Sequence, residues 1–216
     1  MKKIMFNDKY GLTKAVLEGR KTQTRRIINP QPMYDENVGI CWKGYAYGIN
    51  FSGKEGAYNN FISGTEYDKS CKRYRVGEIV AVAQSYKDLG YSETALDRSP
   101  KDWRIVRGAL GKSKGWNNKM FVRVDACIEK GHQIRVTKVR IERLQDISDN
   151  DCLAEGIEFD CKSQSFYCGF NNSTNSKIWL GRTPRKAYAE LIDKVSGKGT
   201  WESNPYVFVY DFELIK

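Results

Sequence analysis

Residues 17–26 read Leu-Glu-Gly-Arg-Lys-Thr-Gln-Thr-Arg-Arg, and this stretch decides how the rest of the chain is interpreted. The apolar spacing before it is that of a short helix, and Gly19 suits the left-handed backbone position just past a helix end. After the glycine, Lys21 and Arg25 fall on one side of an extended chain and Thr24 on the other. Residues 20–26 hold four cations and two threonines. They therefore predict either an anion-binding strand or a polar strand that faces solvent.

The composition of the chain limits both its size class and its partners. With 216 residues it is expected to form a single domain over residues 1–216, with room for insertions. Its 36 Lys and Arg against 26 Asp and Glu give a net charge of +10, which favours a polyanion such as RNA or single-stranded DNA. No apolar run approaches the roughly 20 residues of a membrane span, and residues 1–8 do not resemble a signal peptide. We therefore expect a cytoplasmic protein without membrane contact.

The cysteines and the single histidine do not predict a metal centre. None of the six cysteines forms a C-x-x-C pair, and the spacings of Cys152, Cys161 and Cys168 are irregular. Reduced thiols are expected, as in other cytoplasmic proteins. No metal or other cofactor is predicted.

Three long polar segments, at residues 33–74, 85–119 and 161–180, interrupt the patterned parts of the chain. Aromatic residues in the first segment either pack over the core or stack on bases. Between residues 98 and 119 the second segment has seven Lys or Arg and one acid, which favours either a solvated loop or a surface for phosphates. On the latter interpretation the candidate nucleic-acid-binding residues are Arg20, Arg25, Arg26, Arg98, Lys101, Trp103, Arg104, Arg107, Lys112, Lys114 and Trp116.

The remaining pattern consists of short strands and short helices. Apolar runs or alternation predict strands at residues 79–83, 120–124 and 206–214. Between residues 134 and 141 the apolar parity changes, which predicts a β-bulge near Thr137 and Lys138. Ser148 is a good N-cap for a helix that stops at Gly156, and Thr183 with Pro184 starts another. These elements predict an α+β fold, a small β-barrel with two or three short helices and long loop insertions.

Four motifs in order resemble the ASCH domain, and the larger phage and prophage members are the most similar. They are GRKTQTRR at residues 19–26, YRVGE at residues 74–78, VRIERLQDI at residues 139–147 followed by Glu155 and Gly156, and WESNPYVFV at residues 201–209. The resemblance covers the whole chain, with the three polar segments as insertions. It implies a PUA-like β-barrel with a cleft suited to RNA or to a modified base.

The resemblance also implies a catalytic site. Small bacterial ASCH proteins are amidohydrolases that remove the acetyl group from N4-acetylcytidine. Their lysine and threonine correspond to Lys21 and Thr24, and the glutamate of their A-x-x-E pattern corresponds to Glu155, with Cys152 in the alanine position. Threonine needs a base to act as a nucleophile. Lys21 could be that base if desolvation lowers its pKa, or Glu155 could be the base while Lys21 stabilises the oxyanion.

Two functions from different classes therefore stay open on the sequence. The first is an amidohydrolase that acts on an N-acylated nucleoside through Lys21, Thr24 and Glu155. The second is a non-catalytic RNA- or single-stranded-DNA-binding module of phage or prophage origin, in which the lysine and the glutamate form only a structural ion pair. A phage assembly role is a third interpretation, supported by the resemblance alone.

Overall fold

The structure, a computed structural model, describes residues 1–36, 39–42, 45–46, 74–91, 115–170 and 176–215. Its strands are β1 (Lys2–Ile4), β2 (Gln23–Ile27), β3 (Met33–Asp35), β4 (Gly39–Trp42), β5 (Tyr45–Ala46), β6 (Ile79–Val82), β7 (Gln133–Arg143), β8 (Glu158–Asp160), β9 (Ser165–Phe170), β10 (Lys177–Trp179) and β11 (Tyr206–Leu214). Its α-helices are α1 (Leu12–Leu17), α2 (Val124–Glu129), α3 (Asp149–Ala154), α4 (Pro184–Ser196) and α5 (Thr200–Ser203). The fold is therefore α+β, as predicted, but the described residues form five α-helices and not the two or three that the sequence predicts.

The central sheet has five strands in the order β1-β6-β7-β11-β2. The β1–β6 pair is parallel and the other three pairs are antiparallel. Within the described residues β1 and β2 are the two edges, so these strands form an open sheet and not the closed barrel that the sequence predicts. Two smaller sheets, β10-β9-β8 and β3-β4-β5, accompany it.

The predicted bulge is confirmed in β7. Phe212 of β11 pairs with Val136 and Asp211 pairs with Lys138, so Thr137 is the extra residue on the longer strand. A bulge reverses which face the following side chains occupy. The apolar residues before and after it therefore share one face of the sheet, although their spacing in the sequence is odd.

Local capping explains the predicted helices. The Ser148 hydroxyl accepts a hydrogen bond from the Asp151 backbone N–H, and α3 ends at Gly156, which has a φ of +97°. The Thr183 hydroxyl accepts from the backbone N–H of Lys186 and starts α4. The buried face of α4 packs with the central sheet in the main core.

Two predictions about secondary structure are wrong. Residues 120–124 are not a strand: a 3-10 turn at Lys119–Phe121 precedes α2, which buries Ala126 and Cys127 against β6 and its neighbours. The alternation of Met120, Val122 and Val124 fits a short strand as well as a turn that leads into a helix. The helix forms because it buries one of its faces. Residues 161–180 are not wholly irregular, because β9 and β10 lie there and Cys168 is fully buried in the main core.

The basic segment at residues 92–114 lies outside the described residues, but its two flanks are in contact. Backbone N–H groups of Tyr86 and Lys87 donate to the carbonyl oxygens of Gly115 and Trp116, at 3.0 and 3.2 Å. The Lys3 ammonium donates to the carbonyl oxygens of three residues at the returning end, at 2.6–3.1 Å: Lys119, Met120 and Val122. The chain therefore leaves the core and returns to it at one place. In the described ranges, no helix is both long and apolar enough to cross a membrane.

Candidate active site

A cavity of about 420 Å³ lies between β2, α4 and β11. Its apolar lining residues are Phe6, Leu12, Ile27, Ile28, Leu191, Ile192, Val195 and Phe208. Lys21, Thr24 and Glu155 all line the same cavity. The structure therefore brings together the three residues that the sequence predicts to be catalytic.

Lys21 is fixed by the junction of three elements. Its backbone N–H and that of Arg20 both donate to the Ala15 carbonyl of α1 at 2.9 Å, and the N–H of Thr22 donates to the Ala154 carbonyl of α3 at 2.9 Å. A Cβ atom on Gly156 would lie 3.3 Å from the Cβ of Lys21, which is tighter than an ordinary contact. A glycine with positive φ thus allows the end of α3 to approach the start of β2.

Lys21 and Glu155 form a buried ion pair. The Lys21 Nζ lies 2.5 Å from Glu155 Oε2 and also donates to the Glu155 backbone carbonyl at 2.8 Å. The two side chains are 2% and 6% exposed. Burial lowers the pKa of Lys21, while the charge of Glu155 acts in the opposite direction. The lysine is therefore easier to deprotonate than a solvated one.

Arg25 holds the other oxygen of Glu155. Its guanidinium, whose side chain is fully buried, lies 3.2 Å from Glu155 Oε1, 2.6 Å from Glu142 and 3.2 Å from Asp151. Burial would lower the pKa of Arg25, but the surrounding charges, led by Glu155, raise it above its usual value. Because each carboxylate oxygen of Glu155 has a cationic partner, the position of this side chain is strongly fixed.

The network continues away from the cavity. Gln23 Nε2 donates to Asp151 at 3.0 Å and to Asp211 at 2.5 Å, and Arg140 lies within 3.2 Å of Asp211, Glu142 and Asp151. Burial alone would raise the pKa of Asp151, but Gln23 and the two arginines lower it. Gln23, Arg140, Glu142, Asp151 and Asp211 belong to the part of the network that supports Glu155. None of these five residues lines the cavity, whereas Arg25 does.

Thr24 has a different environment from Lys21 and Glu155. It pairs with Tyr210 in the β2–β11 ladder and is 4% exposed. Its hydroxyl forms no hydrogen bond with any residue that the structure describes. It is therefore an available nucleophile or hydrogen-bonding group on the cavity wall.

The predicted nucleic-acid-binding residues are distributed differently. The Arg25 side chain is buried in the network, and Arg20 pairs with Glu18 and with Glu158 at 2.6 Å, so both guanidinium groups have acidic partners in this structure. Arg26 lines the cavity and donates a hydrogen bond to the Met5 carbonyl at 2.5 Å. Trp116 packs against a smaller cluster of buried residues that includes Tyr86 and Cys127. The other predicted residues lie outside the described ranges: Arg98, Lys101, Trp103, Arg104, Arg107, Lys112 and Lys114.

Sequence reasoning missed two features of the site. Glu142 belongs to the quoted VRIERLQDI motif, but nothing in the sequence indicated its contact with Arg25. Tyr188 of α4 is not among the site residues that the sequence predicts, but it lines the cavity. Among the described residues, no group of three or more His, Cys, Asp and Glu side chains is arranged to hold a metal ion.

No protein-family model matches this chain, and no curated protein or solved structure has significant similarity to it.

Proposed function

We propose that this chain is an amidohydrolase of the ASCH type, which removes the acyl group from the exocyclic amine of a modified nucleoside such as N4-acetylcytidine. One observation carries the proposal: the buried Lys21–Glu155 pair lines the same cavity as Thr24, whose hydroxyl has no hydrogen-bond partner among the described residues. These three residue types in one cavity match the set that the sequence resemblance implies. A purely structural ion pair would not require a nearby cavity with an available hydroxyl.

The size and lining of the cavity support a small substrate. Small-molecule sites are typically concave, about 300–1,000 Å³ in volume, and mostly apolar with a few polar groups. A volume of about 420 Å³ with eight apolar lining residues falls within this description. A nucleoside, or a single nucleotide taken out of its strand, therefore fits the site better than a paired helix.

The proposed reaction is acyl transfer in two steps. Lys21, in its neutral form, takes the proton of the Thr24 hydroxyl while the hydroxyl oxygen attacks the acyl carbonyl carbon. The C–N bond then breaks, and the leaving amine takes the proton from Lys21. Water next hydrolyses the threonine ester with Lys21 again as the base, releasing the carboxylic acid and restoring the hydroxyl.

Of the two possible bases, the geometry favours Lys21 over Glu155. Both oxygens of Glu155 are held by cations, whereas burial makes the lysine less basic than usual. With Lys21 as the base, Glu155 orients the lysine and limits how far the pKa of Lys21 falls. The ammonium form retains one N–H beyond the two bonds to Glu155, and this is the proton that passes to the leaving amine.

The ASCH assignment extends to the fold. We propose that the five-stranded sheet, with α1, α3 and α4 around its β2 edge, is the described part of a PUA-like barrel. A solved structure that includes residues 43–73 and 92–114 tests this, since additional strands joining β1 and β2 would close the sheet.

Hydrolysis of N4-acetylcytidine by the purified protein tests the proposed activity. We expect turnover that is lost in K21A, in E155A and in the near-isosteric T24V. Thr22, which is exposed and two residues from Thr24, offers the matched control T22V, which should keep full turnover. A wild-type protein without turnover, or a fully active T24V, would contradict the proposal.

A non-catalytic nucleic-acid-binding module is the second candidate, favoured by the net charge of +10. On that view the protein binds RNA or single-stranded DNA without turnover. The affinity should then fall by about tenfold or more between 50 and 200 mM salt if several phosphates are contacted. Binding measured at both salt concentrations, beside the hydrolysis assay, separates the two functions.

A further inference from the structure

Tyr188 has an environment that does not fit a purely structural tyrosine. It lies in α4, is 2% exposed and lines the cavity, with the Arg25 guanidinium 5.8 Å from the centre of its ring. Its hydroxyl forms no hydrogen bond with any described residue. This oxygen is not among the fully enclosed polar atoms of the described residues that lack a partner, so a molecule in the cavity can reach it. Tyrosine hydroxyls usually form a hydrogen bond, and a phenylalanine would fill the same position without needing one.

The phenol can act only as a neutral group near physiological pH. Burial raises the pKa of Tyr188 well above its usual value, and the charge of Glu155 contributes in the same direction. The hydroxyl is therefore protonated and retains a donor for a ligand in the cavity.

The proposed reaction needs such a donor. When Thr24 attacks, the acyl oxygen gains negative charge, which a fixed hydrogen-bond donor stabilises. Thr24 acts as the nucleophile and Lys21 as the base, so neither side chain can donate a hydrogen bond to the acyl oxygen throughout the reaction. Both oxygens of Glu155 are acceptors that already have partners.

We propose that the Tyr188 hydroxyl donates a hydrogen bond to the acyl carbonyl oxygen of the ligand, which makes Tyr188 a further catalytic residue and the cavity a site for an amide. The inference rests on the proposed function and deepens it. No bond is made or broken at Tyr188, and its proton stays on the phenol.

The test compares wild type with Y188F and with the control Y10F. Tyr10 is also buried, but its hydroxyl donates to the Lys194 carbonyl at 3.4 Å and it does not line the cavity. The probe is acetamide, the smallest amide with an acetyl group, followed by NMR of tyrosine labelled with ¹³C at the ζ carbon. Assignment of Tyr188 follows from the resonance that is missing in Y188F.

We expect acetamide to shift the Tyr188 resonance saturably in wild type and to bind about fivefold more weakly to Y188F, as monitored through backbone amides. Y10F should bind it as wild type does. Y188F should unfold at the same or a higher temperature than wild type, because the hydroxyl that it lacks has no hydrogen-bond partner among the residues that the structure describes. Equal binding by Y188F, absence of binding to wild type, or a clear loss of thermal stability in Y188F would each overturn the inference.

The amide probe keeps this inference separate from the proposed function. If acetamide binding depends on Tyr188 but N4-acetylcytidine is not hydrolysed, the proposed reaction fails while the amide site stands. If N4-acetylcytidine is hydrolysed and Y188F keeps the wild-type kcat/KM, the reaction stands and the role of Tyr188 is overturned.

Discussion

Glu155 occupies a position between two cations that have different roles. A buried carboxylate is costly unless it is paired, and Arg25 alone would pair it. The second partner, Lys21, faces the cavity, so the same carboxylate joins the internal network to the proposed chemistry. Burial lowers the pKa of Lys21, and at this scale Glu155 limits how far it falls.

The pH dependence of turnover should report this coupling. If neutral Lys21 is the base, log kcat/KM rises with pH until the pH passes the lowered pKa of the lysine and is then level. In E155Q the opposing negative charge is gone, so the pKa of Lys21 falls further and the level region begins at lower pH. The measurement is the pH–rate profile of both proteins with N4-acetylcytidine.

The control for this profile is K21R, which keeps the positive charge but does not deprotonate in the accessible range. It should be inactive at every pH. A profile for E155Q that is displaced to higher pH would contradict the assignment of Lys21 as the base.

At the scale of elements, the bulge in β7 and the end of α3 together build the site around β2. The bulge at Thr137 puts Glu142 on the sheet face of Arg25, while the apolar residues of β7 share the face of Thr24. The end of α3 then brings Glu155 to the start of β2. The cavity beside this edge strand is therefore lined both by Thr24 and by charged residues of the network, Lys21, Arg25 and Glu155.

Gly156 is the position where this arrangement is most sensitive. The change G156A puts a side chain at a φ of +97° and 3.3 Å from the Cβ of Lys21, so we expect a loss of about 1–3 kcal/mol in the free energy of unfolding. Displacement of Lys21 should also reduce turnover. Denaturant unfolding and the hydrolysis assay measure the two effects.

Gly77 offers a matched control, since it has a φ of +80° and no atom within 4 Å of an added Cβ. G77A should show a similar loss of stability from backbone strain but unchanged turnover per folded molecule. If G156A and G77A behave alike in both assays, the close approach to Lys21 does not matter for function.

Patterns of a few neighbouring residues predicted the helices and strands better than they predicted how these helices and strands pack together. The caps at Ser148 and Thr183, the glycine after α3 and the parity change in β7 are encoded within a few residues, and the structure confirms each. The contact between Glu142 and Arg25 joins positions 117 residues apart, which no local pattern reveals. The cavity-facing hydroxyl of Tyr188 was hidden because periodicity does not separate a packed ring from one that lines a cavity.

At the scale of the whole molecule, the central question is whether the positive charge and the cavity serve one function. Residues 98–114 carry six of the cations, and the flanks of residues 92–114 are bonded to each other. Replacing residues 92–114 with a short Gly-Ser linker should therefore leave the melting temperature and the turnover of N4-acetylcytidine close to wild type. Binding to single-stranded RNA at low salt should weaken.

A full-length variant with these six cations changed to Gln is the matched comparison. It should bind RNA as weakly as the deletion does, because the loss is one of charge and not of chain length. If the deletion abolishes turnover while the Gln variant does not, the segment supplies part of the substrate site by its shape.

The paired flanks at Tyr86 and Gly115 also bear on how such a chain can change over generations. Because the two ends meet, the number of residues between them can grow or shrink with little effect on the core, and closing a longer loop adds only about 0.6 kcal/mol per doubling of its length. Insertions and deletions at this point are therefore nearly neutral for folding. The sequence and length of this segment can therefore change without disturbing the residues around Lys21.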